Sequence, residues 1–578
     1  MIRKLFISSL LALVSAAPAA AAGSQSINRS LLMPGVTYTR QVQFTPHGPE
    51  VLHIINAPKP GGLYSLTPLL SNDAIVGREK VTLMQKRASA TATVAGVNGD
   101  LFNWNDGHPS GGLMQNGLLL HPPLRDRSTV GIDAEGNLRV ERVGFSGYWI
   151  GTGQRRTLQF NELPGPNGVS LFTPTWGTVT PSVSAVEAVL QPFPGAKPNT
   201  DLTGVVAQVS STAGATPVPR DGAVLQARGS AAAKLAAEAP VGTTVTVRFA
   251  LNPTWDGVVN ALGGGPLIVA NGKPIFRANE GFDQSQLSPR NPRTAVGQRA
   301  DGRLLLVAVD GRQPGYSVGM SNFELALAMM QLGAVTASAL DAGGSTTMAF
   351  DGQLLNRPSD PGGERPVAES LVVAYTGVYA PPVSEPALSP NGDGVAETET
   401  LSYKLVRPST VTATLIAPDK TVREIDSGLR QPGIYTFPWT GKIAEDAVEP
   451  EGSWRFSVTA TDDQAVPSAA DRIFQLNNTL GSLAVQPSAV KLRKKGTRIS
   501  GSFTLARPAK VTATIETAGG IVVRVLARAE LDAGPQVLSW NGRNGVGKLA
   551  YGGSYRLHVV ANNELGRVEL RAAFSARR

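Results

Sequence analysis

The stretch "LLLVAVDGRQPGYSVGMSNFELALAMMQLGAVTASALDAGGS", residues 304–345, decides how this chain is read. Leu304 to Val309 form an apolar run that reads as a buried strand ending on Asp310. Ser321 then stands as an N-cap, Glu324 completes a capping box, and Gly333 supplies the stop, so 322–332 reads as a helix. That segment is apolar nearly all round, which predicts burial on several sides. A second apolar run, 335–340, ends on Asp341 and is followed by Ala342, Gly343, Gly344 and Ser345. Strand, helix and strand in this order most simply form a crossover, which makes the strands parallel and sets both C-terminal ends on one sheet edge. Asp310 and Asp341 then share a rim, about 4.8 Å apart at the backbone if the strands are neighbours and about twice that if one strand intervenes.

Working outward, "RTAVGQRADGRLLLVAVDGR" reads as a hairpin turning at Asp301-Gly302. "REKVTLMQKRASATATVAGVNGDLF" reads as a helix over 78–87 and then a buried strand ending at Asn98-Gly99-Asp100. Gly311, Gly343, Gly344, Gly99 and the "LGGGPL" loop from Leu262 leave backbone N–H groups bare enough to face an anion. Arg293, Arg312 and Arg365 stand beside these turns, and guanidinium forks match phosphate oxygens. His53, His108 and His121 lack a metal-ligand spacing and read as structural or surface residues. Trp104 reads equally as a sugar-stacking platform or a cover for the core, and Glu364 beside Arg365 as a local ion pair. No Ser-His-Asp order, P-loop or dinucleotide fingerprint is present.

With 578 residues the chain exceeds what one core supports, and three or four domains are expected. Abundant Gly, Pro, Thr and Val with frequent turn signals indicate a β-rich protein. Arg3 and Lys4 precede an apolar run, 5–14, and a small-residue close at Ala19 to Ala22, so 1–22 reads as a signal peptide. The expected location is extracellular, periplasmic or cell-surface, with no membrane span. There is no cysteine, which excludes disulfides and thiolate chemistry. Loss of Arg3 and Lys4 lowers the formal charge from +9 to +7, spread along the chain, which suits an anionic envelope polymer or phosphate-bearing substrate and not nucleic acid. The one compact basic cluster, "KLRKKGTR" at 491–498, reads as a solvated strand end.

The C-terminal third repeats. "LVRPSTVTATLIAPDKTV" from Leu405 matches "LARPAKVTATIETAGGIV" from Leu505, and "EGSWRFSVTA" answers "GGSYRLHVVA". Trp439 and Trp540 hold equivalent places before Gly-containing turns. Alternating short strands around a buried Trp predict two β-sandwich modules, 391–475 and 485–578, behind a Pro-rich linker, 381–390. At the junction "LSPNGDGVAETETLSYKL" places Asn391, Asp393 and Glu397 around two glycines, either as a calcium site or as an Asn-Gly, Asp-Gly turn.

"VNGDLF", "NPRTAVG", "VDGRQPG", "LGAVTASALDAGGSTTM" and "NRPSD…GERPVAESL" together resemble the phosphodiester glycosidase family over about 35–379, and the C-terminal repeats resemble FlgD-type Ig-like modules. That family includes the enzyme that uncovers mannose 6-phosphate by removing N-acetylglucosamine from a phosphodiester. The resemblance implies cleavage of a sugar 1-phosphodiester, in bacteria often in exopolysaccharide or envelope-polymer metabolism. It implies Asp341, Asp310 and Asp100 as catalytic candidates. It implies Asn98, Arg293, Thr294, Arg312, Gly343, Gly344, Ser345 and Arg365 as substrate or phosphate ligands. Two positions depart from the family pattern: Ala342 stands for a usual Gly and Glu369 for a usual Asn. The expected fold is an α+β, β-rich catalytic domain over 30–380, with a β-rich insertion at 144–247, followed by two all-β Ig-like sandwiches. A non-catalytic protein that binds a phosphate-bearing polysaccharide, and a phosphodiesterase that breaks the P–O bond, are the alternative functions.

Overall fold

The computed structural model describes residues 25–212, 214–275, 280–392, 394–444 and 447–578, so the expected signal segment, 1–22, lies outside the described residues. No described helix is long and apolar enough to cross a membrane. The crossover forms as the sequence indicates. Strand Leu304–Val309 leads through helix Asn322–Gln331 to strand Ala334–Ala339, with strand Arg293–Arg299 between them and antiparallel to both. Two strands that each run antiparallel to a shared neighbour are parallel to one another, so the wider of the two expected separations applies. The intervening strand starts at this edge, which adds Arg293 to the rim where Asp310 and Asp341 follow their strands. Ser321 and Glu324 make the reciprocal capping box, and Gly333 takes a φ of +92° at the stop. Helix burial is one-sided: Leu325, Ala326, Ala328 and Met329 are buried, while Phe323 is exposed.

These strands belong to an eight-stranded sheet. A five-stranded sheet centred on Thr93–Asn98 and Glu369–Tyr375, and another built on Val258–Gly263 and Ser128–Asp133, face it. Ile55, Val97, Val130, Val296, Leu306, Met348 and Val373 from the three sheets share one core. The first helix runs Val81–Ala88, close to the expected span, and packs on the Thr93–Asn98 sheet. The region expected as an insertion is a closed barrel of seven strands from Gly144–Ile150 to Thr244–Asn252, with Trp149, Phe160 and Phe249 inside. The fold is therefore β-rich, and helices play a smaller part than an α+β reading implies.

The repeat appears in the C-terminal sheets. Each copy has a five-stranded sheet in which a short first strand runs parallel to the last, Ala387–Leu388 with Pro467–Leu476 and Ala489–Lys491 with Gly566–Arg577. The expected linker is thus partly built into the first of these sheets. The buried aromatic differs between copies. Trp454 fills the first core with Trp439 tilted against it at 4.8 Å, whereas Trp540 fills the second against Tyr555 at 5.5 Å.

Candidate active site

A cavity of about 260 Å³ opens at the rim, lined by Asp100, Asp341, Arg293, Arg312, Phe282 and Gly343 among others. The turn after Thr93–Asn98 holds Asp341 in place. The Asp341 N–H donates to Gly99 O at 3.1 Å, and the Asn98 side-chain amide donates to Asp341 O at 2.9 Å. Asn98 Oδ1 accepts from the Thr294 hydroxyl at 2.8 Å and from the Thr347 N–H at 3.1 Å. One asparagine therefore ties two sheets and the glycine loop together. Asp341 Oδ1 accepts the Ala342 N–H at 2.8 Å. Its carboxyl is pushed up to about 6 by burial, aided by the Asp100 charge, although the Ser345 hydroxyl, the Ala342 N–H and Arg365 favour ionisation.

Asp100 is the second carboxyl in the cavity. It is buried and ion-paired through Oδ1 to the equally buried Arg127, while Oδ2 has no hydrogen-bond partner. Burial raises its pKa against the pull of Arg127. The "LGGGPL" loop gives this carboxyl room, because a Cβ on Gly263 would lie 2.0 Å from Asp100 Oδ2 and one on Gly111 2.5 Å from it. Gly264 O accepts from Arg127 at 3.1 Å, and the Arg127 guanidinium lies 5.1 Å from the Phe282 ring centroid.

The arginines supply positive charge at the same place. Arg293 is buried and donates only to carbonyls: to Met320 at 2.8 Å, Pro289 at 2.7 Å and Leu287 at 3.2 Å. Its pKa is lowered to about 10 by burial and by the Arg312 charge. Arg312 is held by Asn291, which accepts from its Nε at 2.9 Å, and its backbone sits at φ +59°. Among the described residues neither arginine forms an ion pair with a carboxylate. Two cations that pair with no carboxylate among the described residues thus stand beside two carboxylates in one cavity, an arrangement suited to an anionic ligand.

Other expected site residues do not line the cavity. Asp310 is 1% exposed and its carboxylate is occupied by His53 Nε2 at 2.9 Å, the Tyr316 hydroxyl at 2.9 Å, Asn356 Nδ2 at 3.0 Å and the Arg357 N–H at 3.1 Å. It anchors the 356–365 loop and is not a wall of the cavity. Asn98 and Thr294 are buried scaffold, as described above. Arg365 pairs with Asp360 at 2.7 Å, and Gly344 makes space for that pair, since a Cβ there would lie 1.9 Å from Arg365 Nη2. Ser345 is buried beside Arg365 and Asp341. Ala342 has an extended backbone, φ −121°, that any residue adopts, and Gly343 carries the left-handed φ of +69°. The departure at Ala342 therefore introduces no strain. Glu364 accepts from the Thr82 N–H at 2.9 Å and the Thr82 hydroxyl at 2.6 Å, so the expected pair with Arg365 does not form. Trp104 is 62% exposed, with Arg365 at 5.1 Å from its ring. At the module junction, Glu397 Oε1 accepts the Gly392 N–H at 2.6 Å and the Gly394 N–H at 3.2 Å, contacts that a turn makes. Asn391 donates to Glu569 O at 3.5 Å, and Asp393 lies outside the described residues. Among the described residues no acidic or histidine cluster has the arrangement of a metal site.

Sequence reasoning missed Arg127 and Phe282, brought to the site by long-range packing that no local motif announces, and it read Asn322 only as the start of the capped helix.

Residues 197–374 match the phosphodiester glycosidase family model, and residues 488–564 match the FlgD Ig-like domain model. The first match takes in Arg293, Arg312, Asp341 and Glu369 and leaves out the earlier turn that bears Asp100. A curated relative, the SPbeta prophage-derived uncharacterized protein YomE of Bacillus subtilis (strain 168), is 34% identical over 119 residues. Those residues are 21% of this chain and 18% of the relative, so the chain spans less than a fifth of that protein's length. A hypothetical protein from Synechocystis is similar in structure, with 26% identity, a TM-score of 0.50, and coverage of 61% of this chain and 64% of the other. A putative exported protein from Burkholderia pseudomallei shares the fold at 20% identity and a TM-score of 0.50, covering 61% of this chain and 97% of the other.

Proposed function

We propose that this protein hydrolyses a sugar 1-phosphodiester at the bond between the sugar C1 and the phosphate oxygen. One observation carries the reading: Asp100 and Asp341 share a cavity with Arg293 and Arg312, neither of which forms an ion pair with a carboxylate among the described residues. As the C1–O bond breaks, positive charge grows on the sugar ring and the bond's electron pair leaves on phosphate. Asp341 faces C1 as base or nucleophile, and Asp100, ion-paired to Arg127, stabilises the ring charge beside it. Arg293 and Arg312 hold the phosphate, helped by the bare turn at Gly343. Water adds at C1, and its proton passes to a carboxylate. Phosphate leaves readily as an anion, so the arginines take much of the part that a general acid plays in ordinary glycosidases. The match of 197–374 to the phosphodiester glycosidase model supports the same reaction class.

In this reading residues 30–380 form the catalytic unit with the barrel inserted, and two Ig-like modules follow. The protein is exported and acts on a phosphate-bearing envelope polymer or exopolysaccharide. The extended backbone at Ala342, which any residue adopts, is compatible with catalysis.

The test is release of free sugar from an N-acetylglucosamine 1-phosphodiester by the mature protein and by Asp341→Asn. Release that disappears in the variant is the expected result. In heavy-oxygen water the label should enter the sugar; label in the phosphate would instead establish a phosphodiesterase.

A further inference from the structure

Below the cavity lies a third carboxyl that the proposed chemistry does not use. Glu369 opens the strand Glu369–Tyr375 and is 1% exposed. Its Oε1 accepts the Asp100 N–H at 3.0 Å, and its Oε2 is buried with no partner. The turn is fitted around it: a Cβ on Gly99 would lie 2.5 Å from Glu369 Cγ, and the Gly99 N–H donates to Glu369 O at 2.8 Å. Among the described residues no cation pairs with Glu369. The charged groups facing it are Asp100 from the turn, Asp341 from the glycine loop and Arg127, whose guanidinium is already committed to Asp100. An ionised carboxylate in this position would be buried, unpaired and flanked by two carboxyls, an arrangement that proteins avoid by leaving the proton on.

We propose that Glu369 is a neutral carboxylic acid that positions Asp100, and that its ionisation disables the site at alkaline pH. As the neutral acid it takes the Asp100 N–H and leaves the ion pair of Asp100 with Arg127 undisturbed. Once ionised it sets a third negative charge under Asp100 and Asp341, competing for Arg127 and opposing the geometry the reaction needs. Burial, with the Asp100 charge next, raises its pKa well above the usual glutamate range, which agrees with this role. The consequence for the reaction rests on the glycosidase reading, while the protonation state does not.

The experiment therefore has two arms, wild type against Glu369→Gln. Glutamine keeps an oxygen for the Asp100 N–H and cannot ionise. In the first arm, melting temperatures are followed from pH 4 to pH 10. The folded wild type holds a proton that its unfolded chain loses above the ordinary glutamate range, so its stability should fall relative to Glu369→Gln as pH rises. A difference between the two proteins that stays constant over this range overturns the proposal, whether or not any substrate is turned over. In the second arm, sugar release is measured against pH. Wild type should lose rate on the alkaline side by about tenfold per pH unit, and this limb should vanish or move upward in Glu369→Gln. An identical limb in both proteins overturns the positioning role. Absence of sugar release by wild type at every pH counts against the proposed function alone, and the melting arm still decides the state of Glu369. Should Glu369→Gln fold poorly, the carboxyl stretch of Glu369 in infrared spectra of wild type carrying isotope-labelled glutamate gives the same answer: absence of a protonated-acid band at pH 7 overturns the proposal.

Discussion

At the scale of the residue, protonation governs the site. Protein surrounds the Asp341 carboxyl closely enough that it ionises only near pH 6, well above an ordinary aspartate. If it acts ionised, as base or nucleophile, sugar release should rise with pH through about 6; a rate independent of pH between 5 and 7 would exclude that role. The same shift bears on stability. The folded protein retains the Asp341 proton after the unfolded chain has lost it, so native stability falls as pH climbs from about 4 to about 6. Asp341→Asn keeps an acceptor for the Ala342 N–H and carries no charge to bury. We expect it to be inactive yet more stable than wild type by about 1–2 kcal/mol at pH 8, with the advantage shrinking toward pH 4, as measured by chemical unfolding at both pH values. Sequence singled out Asp341 because a charge followed by glycines ends an apolar run. It singled out Asp310 on the same grounds, and there the local pattern was insufficient. Which side of the sheet edge a carboxyl faces depends on partners such as His53 and Asn356, which lie far away in the chain.

At the scale of the element, the crossover was legible because capping box, apolar runs and glycine stop all agree in one short segment. The strand between its two arms was legible too, as half of the Asp301-Gly302 hairpin, although its insertion between them was not. That insertion matters, since it delivers Arg293 to the rim midway between the positions after Val309 and Ala339. The triple-glycine loop shows a further limit. Bare backbone suggested an anion site, whereas Gly263 is needed for room: its missing Cβ leaves space for Asp100 Oδ2, and Gly111 closes in from the other side. Gly263→Ala should push Asp100 away from Arg127. Overpacking of this kind costs about 1–3 kcal/mol, so a fall in melting temperature together with loss of sugar release is expected. A variant as active as wild type would show that Asp100 does not need its present place. The extra atom meets a fixed carboxyl and another backbone, neither of which can give way cheaply.

At the scale of the molecule, repetition made the C-terminal modules readable, because two copies of one pattern support each other. The barrel between Gly144 and Asn252 had no such support: it closes by pairing Gly144–Ile150 with Thr244–Asn252, about a hundred residues on, and no motif marks its strands. How the units are joined was also hidden, since it depends on single polar contacts. The first module is fastened to the unit that holds the candidate site, the catalytic unit of the proposed function. Lys404 is buried and donates to Ser89 Oγ at 2.6 Å, to Ala92 O at 3.3 Å and to Asp351 at 3.4 Å, and its backbone pairs with Tyr379. Arg472 donates to Pro381 O at 3.0 Å and Ser468 Oγ accepts the Val378 N–H at 3.0 Å. The second module meets the first through the partly buried pair of Arg507 and Glu451 at 2.9 Å and the Asn391 contact to Glu569 O at 3.5 Å. A pair this open to water contributes about 0–1 kcal/mol, whereas the first module covers Asp351 and Ala92 O with the buried Lys404 and adds a backbone pairing at Tyr379. Deleting 479–578 should therefore leave the melting temperature of the catalytic unit and its release of sugar from a small soluble diester unchanged. Deleting 381–578 should lower that melting temperature by several degrees, because Asp351, Ala92 O and Tyr379 lose their partners together. Equal effects from the two deletions would mean that the second module, and not the buried Lys404, stabilises the catalytic unit. Comparing the shorter deletion with the full chain on a phosphate-bearing polysaccharide then separates catalysis from capture. A rate lost on the polymer and kept on the small diester assigns the second module to holding the substrate.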